Sequence, residues 1–399
     1  LDAPNLGRVL ALFGVDDVPE EPFTLSGSVE RADSLLTVTD LELGVADARF
    51  ALAGTVERFP DLDGVRMILD VQGNDSARFR ELVRLPGIAS GSFAVSGEID
   101  VSPEGNELVD VRLRTSLFDI TASGPIGDPP GYVGTRLRLD ARGNNFQALA
   151  DALEIPDQRA VSFEITGELE VTERGIETRE ETVLRLGEQR LALNGLIGLK
   201  PLAADTDVRF RLYGNSTDAL TELLDVDQFS ADAPYEVSGR LRAQSRGFRL
   251  DGIEGQIGDA KFSVAGLITR DAQRIGSELR FDTSGPNLES VLADTAVFDV
   301  PPNPFRISGK LARRRNSIEI SGLEVVGGRA SLTAEIDIGW PFDADSSGEF
   351  AVTAEGPDLA AILPELDVYE PDAVDFAARA EGSWKAGLWR IDDFIAKVG

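Results

Sequence analysis

A short stretch, Phe23-Thr24-Leu25-Ser26-Gly27, sets the pattern of the whole chain. An aromatic residue followed four positions later by glycine returns in Phe93 to Gly97, Phe163 to Gly167, Tyr235 to Gly239 and Phe305 to Gly309. Successive glycines of this motif are separated by 70, 70, 72 and 70 residues. A fixed period of this length is typical of an array in which one supersecondary unit is repeated. The sequence therefore predicts a repeat protein.

The period also predicts where one repeat ends and the next begins. We expect the chain to be an internal piece of a longer protein, because partial repeats lie at both ends. The predicted segments are the tail of a preceding repeat at 1–21, five repeats at 22–91, 92–161, 162–233, 234–303 and 304–374, and the start of a truncated sixth repeat at 375–399.

The first two strands of a repeat can be read from hydrophobic alternation. Phe23 and Leu25 alternate with polar residues, which is typical of a half-buried strand. In the second strand the apolar positions change parity at Asp40, and the fifth repeat shows the same change around Ser321-Gly322. A parity change within a strand predicts a β-bulge, because the extra residue restores the apolar side chains to one face.

Glycines mark the third and fourth strands. Gly54 lies inside the third strand, and its equivalents at Gly124, Gly195 and Gly266 indicate a bend or a close backbone approach. The fourth strand ends at a glycine that is followed by a short polar residue, as in Gly143-Asn144-Asn145. Such side chains cap helices, so a short helix is expected next. In the first repeat this helix would carry Phe79, Leu82 and Val83.

The predicted fold class is mainly β, a repetitive antiparallel sheet whose units of about 70 residues each hold four strands and one short helix. Four strands present an apolar face of roughly 400 Å², whereas a nine-residue helix covers about 130 Å². The sheet must therefore hide its surplus apolar surface in another way. One possibility is an elongated apolar groove, of the kind called a β-taco, that holds an apolar guest. The other is a string of closed sandwiches with filled cores.

If the groove forms, its lining is predicted from the inward positions of the strands. These residues are large, uncharged and alternate with polar neighbours. They are Phe23, Leu25, Phe50, Leu52, Met67, Leu69, Phe93, Val95, Ile120, Leu137, Leu139, Phe163, Ile165, Leu191, Leu193, Val208, Phe210, Leu212, Tyr235, Val237, Phe262, Val264, Leu279, Phe281, Phe305, Ile307, Leu332, Phe350 and Val352.

Composition excludes several kinds of function. The chain has a net charge of −30, which disfavours binding to nucleic acid or to an anionic membrane surface. It contains neither cysteine nor histidine, so it lacks the thiol nucleophile, the usual general base and the commonest transition-metal ligands. We therefore predict no enzymatic activity, no cofactor and no metal site.

Two minor features are interpreted as structural. The basic run Arg313-Arg314-Arg315 is interpreted as a solvated turn, since charge runs are usually exposed. The three tryptophans, at positions 340, 384 and 389, are interpreted as too scattered to form a stacking platform.

The order of motifs resembles that of a known family. Phe163 to Gly167, then Gln189 to Gly195, then the segment from Gly285 to Phe305 together resemble the AsmA-like, TamB-related family of Gram-negative envelope proteins. The resemblance covers nearly all of the chain. It implies a long β-sheet groove in the periplasm that carries phospholipid or another acyl-chain lipid between the inner and outer membranes. It further implies an N-terminal inner-membrane anchor and membrane contacts in segments outside this chain.

Two other functions remain open at this point. One is an outer-membrane protein assembly factor that offers open strand edges to client proteins. The other is a passive β-repeat spacer or adhesion array.

Overall fold

The structure is a computed structural model that describes residues 2–3, 22–45, 47–59, 63–75, 91–103, 105–128, 131–152, 159–198, 204–218, 232–271, 273–287, 303–341, 346–357 and 374–399. The chain divides into two compact units, residues 1–196 and residues 197–399. Each unit is described separately below.

In its described residues, the first unit consists of strands that follow one another along the chain, with one short helix. The strands are β1 (Asp2–Ala3), β2 (Phe23–Ala32), β3 (Leu35–Val45), β4 (Ala48–Arg58), β5 (Asp63–Gly73), β6 (Phe93–Ser102), β7 (Gly105–Thr115), β8 (Phe118–Ile126), β9 (Arg136–Gly143), β10 (Phe163–Thr172), β11 (Gly175–Leu186) and β12 (Gln189–Gly198), and the helix is α1 (Phe146–Ala152). From β1 to β11 each strand pairs antiparallel with the next. β12 contacts β11 where the Gly195 amide donates to the Thr178 hydroxyl at 2.8 Å.

The second unit repeats this arrangement. Its strands are β13 (Asp207–Gly214), β14 (Tyr235–Gln244), β15 (Gly247–Ile257), β16 (Ala260–Thr269), β17 (Glu278–Gly285), β18 (Phe305–Arg313), β19 (Ser317–Gly327), β20 (Ala330–Gly339), β21 (Ser347–Gly356), β22 (Phe376–Lys385) and β23 (Leu388–Val398). Each pairs antiparallel with its neighbour in sequence. The prediction of a mainly β, antiparallel fold is confirmed.

Both predicted bulges are confirmed. The register of β3 against β4 shifts between Val38 and Leu41, and Asp40 has a positive φ of 48°. The register of β19 against β20 shifts between Ile320 and Leu323. In both strands the extra residue keeps the apolar side chains on one face of the sheet.

The helix predicted after the fourth strand of the second repeat is present as α1. Its first turn is capped by Asn145, whose side-chain oxygen accepts a hydrogen bond from the Ala148 amide at 3.1 Å. Phe79, Leu82 and Val83 lie outside the described residues. Among the described residues, no helix is long and apolar enough to span a membrane.

The repeated aromatic residues and the repeated strand-ending glycines pair with each other across neighbouring strands. The aromatic residue that opens a strand stands directly opposite the glycine that ends the preceding strand. The five pairs are Phe93 with Gly73, Phe163 with Gly143, Tyr235 with Gly214, Phe305 with Gly285 and Phe376 with Gly356. In four of them a Cβ on the glycine would lie 2.5 to 2.7 Å from the ring, so the ring lies over the glycine. This contact explains why the two motifs recur together.

Glycines inside the third strands serve a different purpose. A Cβ at Gly54, Gly124 or Gly266 would lie 2.0 to 2.2 Å from a carbonyl oxygen of the following strand. Each of the three has a positive φ between 131° and 156°. The prediction of a close backbone approach at these positions is confirmed. The repeat boundaries themselves stay a prediction.

The interpretation of the basic run is wrong for one of its three residues. Arg313 is 5% exposed, and its guanidinium carbon lies 4.6 Å from the centroid of the Trp340 ring. Its Nη1 donates to the Ser317 carbonyl at 3.0 Å. The face of the ring and the carbonyl oxygen stabilise the buried guanidinium. The run of three arginines gave no indication that one of them would be buried. Arg314 and Arg315 are exposed as expected.

Candidate functional site

In the first unit, one face of the sheet is lined by apolar side chains, and we call it the apolar face. Residues directly opposite each other in an antiparallel pair point to the same side, so the register traces rows across the strands. One row crosses ten strands without a polar residue. It consists of Leu25, Leu43, Phe50, Val71, Val95, Leu113, Ile120, Ala141, Ile165 and Leu184.

The second unit has an apolar face of the same kind. One row crosses eleven strands and contains a single polar side chain, that of Thr283. It consists of Leu212, Val237, Gly255, Phe262, Thr283, Ile307, Val325, Leu332, Ala354, Ala378 and Ala396. The next row on the same face includes Val264 and Phe281, which stand opposite each other on β16 and β17. Phe210 of β13 lies two residues from Leu212 and so points to the same side.

Burial divides the predicted lining residues into two groups. Six of them are buried, with 2 to 6% of their surface exposed: Phe23, Phe93, Phe163, Val208, Tyr235 and Phe305. The other residues of the set are all half-buried. The buried group forms core packing near the strand ends, and the half-buried group forms the accessible part of the apolar face.

Helix α1 covers one end of the apolar face in the first unit. Phe146, Leu149 and Ala150 of the helix pack with Phe118 and Phe163 in one buried cluster. The rings of Phe146 and Phe163 meet edge to face, with centroids 5.7 Å apart. Leu137 and Leu139, farther along β9, lie outside this cluster and stay half-buried.

The opposite side of each sheet carries charged residues, and we call it the polar face. Arg66 stands opposite Asp100 across β5 and β6, and their side chains are 3.0 Å apart. Arg306 pairs with Asp282 at 2.8 Å on β18 and β17. Cross-strand pairs of opposite charge favour this register, and they keep the charged side chains away from the apolar face.

The pairing also lowers the pKa of several carboxyl groups. The hydrogen bond from Arg112 holds the pKa of Asp119 below its usual value, against a smaller opposing effect of burial. The hydrogen bond from Arg240 lowers the pKa of Asp207 in the same way. These carboxylates are ionised partners of arginines, so their shifts reflect sheet structure and do not indicate an acid or base catalyst.

Two depressions open on the polar face of the second unit. One, of about 380 Å³, is lined mainly by polar residues that include Glu236, Lys261 and Asp282. The other, of about 720 Å³, is lined by several carboxylates together with Arg390. Within the described ranges, no group of three or more acidic side chains is placed to hold a metal ion.

Two of the three tryptophans lie together, so the interpretation that they are scattered is wrong for this pair. Trp384 and Trp389 face each other across β22 and β23, with ring centroids 5.4 Å apart. Phe350 on β21 joins them, its ring centroid 5.5 Å from that of Trp389. Their positions in sequence gave no sign of this cluster, because it depends on the register of three strands.

Comparison of the chain with protein-family models, with curated proteins and with solved structures gave no match. The two faces of each unit's sheet and the sequence resemblance described above are therefore the observations that bear on function.

Proposed function

We propose that this protein is a non-enzymatic lipid carrier whose apolar face, curled into a groove, holds the acyl chains of phospholipids. The observation that carries the proposal is the half-buried apolar face of each unit, which lies opposite a face of paired charges. Acyl chains are long and apolar, so they fit a surface that continues across many strands better than a small polar substrate would.

The size of the apolar face supports this proposal. Strands β6 to β9 form a face about 19 Å wide and about 30 Å long, roughly 570 Å². Helix α1 has seven residues, and a helix of that length covers roughly 100 Å². Leaving several hundred Å² of apolar surface in water would cost on the order of 10 kcal/mol, whereas an acyl chain would bury it.

The cellular setting of the proposal comes from the resemblance to the AsmA-like family. We place the protein in the periplasm of a Gram-negative cell, between the inner and outer membranes. Contacts with both membranes would be made by segments outside this chain, including an N-terminal anchor. Lipid transport between the membranes is then the proposed role.

The proposal can be tested with a photoreactive side chain placed on either face. Neighbouring residues on one strand point to opposite faces, which supplies matched pairs: Phe281 with Arg280, Phe210 with Arg211, and Leu139 with Arg138. Each position is replaced in turn by benzoylphenylalanine in cells that incorporate radioactive acyl chains. Illumination should attach lipid to the protein at Phe281, Phe210 and Leu139, and at least about tenfold less at the paired arginine positions.

Two results would contradict the proposal. Equal labelling of both faces would indicate nonspecific association with lipid. No labelling at any apolar position, in protein that retains its normal circular dichroism spectrum, would favour a passive spacer array with filled cores. A positive result is extended by measuring transfer of labelled phospholipid between two vesicle populations, which distinguishes transport from storage.

A further inference from the structure

Arg313 places a charge at one end of the apolar face of the second unit. It is the last residue of β18, and its even spacing from Ile307 puts both side chains on the same side of the sheet. Its guanidinium stacks on Trp340, and Nη1 donates to the carbonyls of Arg314 and Ser317. Nε and Nη2 are buried and have no hydrogen-bond partner among the described residues. Buried donors of a cation are unfavourable without an acceptor, so an acceptor from outside would stabilise this position.

Arg270 provides a second cation at the same end of the strands. It follows β16 directly, and its guanidinium carbon lies 4.9 Å from the centroid of the Phe248 ring. Phe248 faces Ile268, which shares its side of β16 with Phe262 of the apolar row. Arg270 is half-buried, and its Nε and Nη2 also lack hydrogen-bond partners in the part of the chain that the structure describes. A ring therefore holds this guanidinium beside the apolar face as well.

The first unit carries the same arrangement at Arg31. Arg31 lies four positions after the motif glycine Gly27, as Arg313 lies four positions after Gly309. Its guanidinium carbon is 5.5 Å from the centroid of the Phe59 ring. An arginine stacked on an aromatic ring thus recurs at the strand ends of both units. We call Arg31, Arg270 and Arg313 the rim arginines.

The rim arginines are cations without a counterion. Within the described ranges, none of the three forms an ion pair with a carboxylate, although the chain has 69 acidic residues. On the polar face, by contrast, Arg66 and Arg306 each pair with an aspartate. A guanidinium is weakly hydrated and binds a phosphate through two parallel hydrogen bonds. The rim arginines are therefore suited to a phosphate group that meets no competing carboxylate.

We propose that the rim arginines bind the phosphate of a phospholipid headgroup, an assignment that rests on the proposed carrier function. The acyl chains then run from the rim along the apolar face. β18 has 9 residues, so the path from Arg313 to Phe305 is about 27 Å long. An acyl chain spans half of a bilayer core, about 15 Å, and fits this length. Phe305, at the other end of β18, is uncharged and buried, which leaves the headgroup at the rim.

Trp340 covers the Arg313 guanidinium and moves aside when the phosphate binds there. Trp340 is 46% exposed, whereas Arg313 is only 5% exposed. Exposed side chains change rotamer within nanoseconds, so the ring presents a small kinetic barrier. Its rotation uncovers Nε and Nη2, and the phosphate oxygens supply the acceptors that these two groups lack.

The test compares two lipids with the same acyl chains, dioctanoyl phosphatidylglycerol and dioctanoylglycerol. Calorimetric titration of the intact, delipidated protein should show at least about tenfold tighter binding of the first, because only that lipid carries a phosphate. Arg270→Gln combined with Arg313→Gln should weaken binding of phosphatidylglycerol by about tenfold or more and leave that of dioctanoylglycerol unchanged. Arg280→Gln is the matched control, since Arg280 is exposed on the polar face of β17 and should change neither.

A single variant guards against loss of folding in the double variant. Arg270→Gln alone changes a half-buried side chain, so the protein should keep its circular dichroism spectrum. It should weaken binding of phosphatidylglycerol by about threefold or more, again without an effect on dioctanoylglycerol.

A second measurement locates the headgroup. Trp384→Phe combined with Trp389→Phe leaves Trp340 as the only tryptophan of the chain. A nitroxide on the headgroup of phosphatidylcholine should quench Trp340 fluorescence more strongly than a nitroxide at the end of the acyl chain. Equal quenching, or stronger quenching by the chain label, would contradict the proposed orientation.

The outcomes separate this site from the carrier function. Equal binding of the two lipids, or unchanged phosphatidylglycerol binding by the arginine variants, would overturn the headgroup site and leave the carrier function intact. Inorganic phosphate that binds as tightly as phosphatidylglycerol would assign the site to a free anion and overturn the lipid assignment. Absence of binding by both lipids would contradict the carrier function itself, and the headgroup site with it.

Discussion

The ring of Phe305 lies over Gly285, its direct cross-strand neighbour, so that a Cβ on this glycine would fall 2.6 Å from the ring. Phe305 is 5% exposed, although it is the first residue of its strand. The glycine leaves the space that the ring fills, and the ring shields the glycine backbone from water. This pairing fixes the register in which β18 follows β17.

Replacing Gly285 with alanine should therefore destabilise the second unit by about 1 to 3 kcal/mol, because the ring must leave its buried position. All three tryptophans belong to this unit, so urea unfolding followed by tryptophan fluorescence measures its stability. In a Phe305→Leu background, Gly285→Ala should lower the free energy of unfolding by less, since the ring is absent. Purely additive effects would show that the ring and the glycine do not interact.

The buried cation at Arg313 gives a second prediction. Trp340→Leu should lower the stability of the second unit by about 1 to 2 kcal/mol, because the guanidinium loses the ring face while it stays buried. The midpoint of urea unfolding, followed by the fluorescence of Trp384 and Trp389, measures the change. Arg315→Ala, in the exposed part of the same turn, should change stability by less than about 0.5 kcal/mol. Equal effects of the two substitutions would contradict a role for the stacked ring.

Tyr235 links stability to alkaline pH. Burial raises the pKa of its phenol from 10.0 to about 12. The unfolded chain loses this proton near pH 10 and the folded chain near pH 12, so stability is lost as pH rises through this interval. Between neutral pH and pH 11, the free energy of unfolding of Tyr235→Phe should therefore fall by about 1 kcal/mol less than that of the unmodified protein. Urea unfolding of both proteins at the two pH values measures this difference. Identical pH dependence of both proteins would show that the phenol ionises freely when folded.

Asp119 links the stability of the first unit to acidic pH. The Arg112 guanidinium, whose Nε lies 2.8 Å from a carboxylate oxygen, lowers the pKa of Asp119 in the folded state. Its contribution is present above the unfolded value near pH 4 and is lost as pH falls through the folded value. Protection of the β7 and β8 amides from hydrogen exchange should decline over this range. Asp119→Asn should flatten the decline, whereas the exposed Asp70→Asn should leave it unchanged.

Local patterns in the sequence predicted much of the fold. Alternation around Phe23 and Leu25 predicted the strand, the parity change at Asp40 predicted the bulge, and Asn145 predicted the start of α1. Each of these depends on residues close together in the chain, where spacing alone determines which face a side chain occupies. The pairing of Phe305 with Gly285 could not be predicted in this way, because the two residues are 20 positions apart and strand alternation relates only near neighbours in sequence.

The candidate site was predictable only in part. Strand periodicity of two predicted which residues share one side of each strand, and their role as a groove lining stays a prediction. It did not separate Phe163, which is buried under α1, from Leu139, which stays half-buried, because burial depends on the end of the strand that the helix covers. The cluster of Phe350, Trp384 and Trp389 was missed for a related reason. Three strands must be aligned before these rings meet.

Each strand bonds to its neighbours in sequence, so the strand pairings join residues that lie less than one 70-residue period apart in the chain. Such a topology has a low contact order, so folding can advance one hairpin at a time with little loop-closure entropy at each step. A protein built this way can gain or lose a whole hairpin through duplication or deletion while the pairings elsewhere stay intact. The number of hairpins can thus change in evolution while each remaining pairing keeps its register.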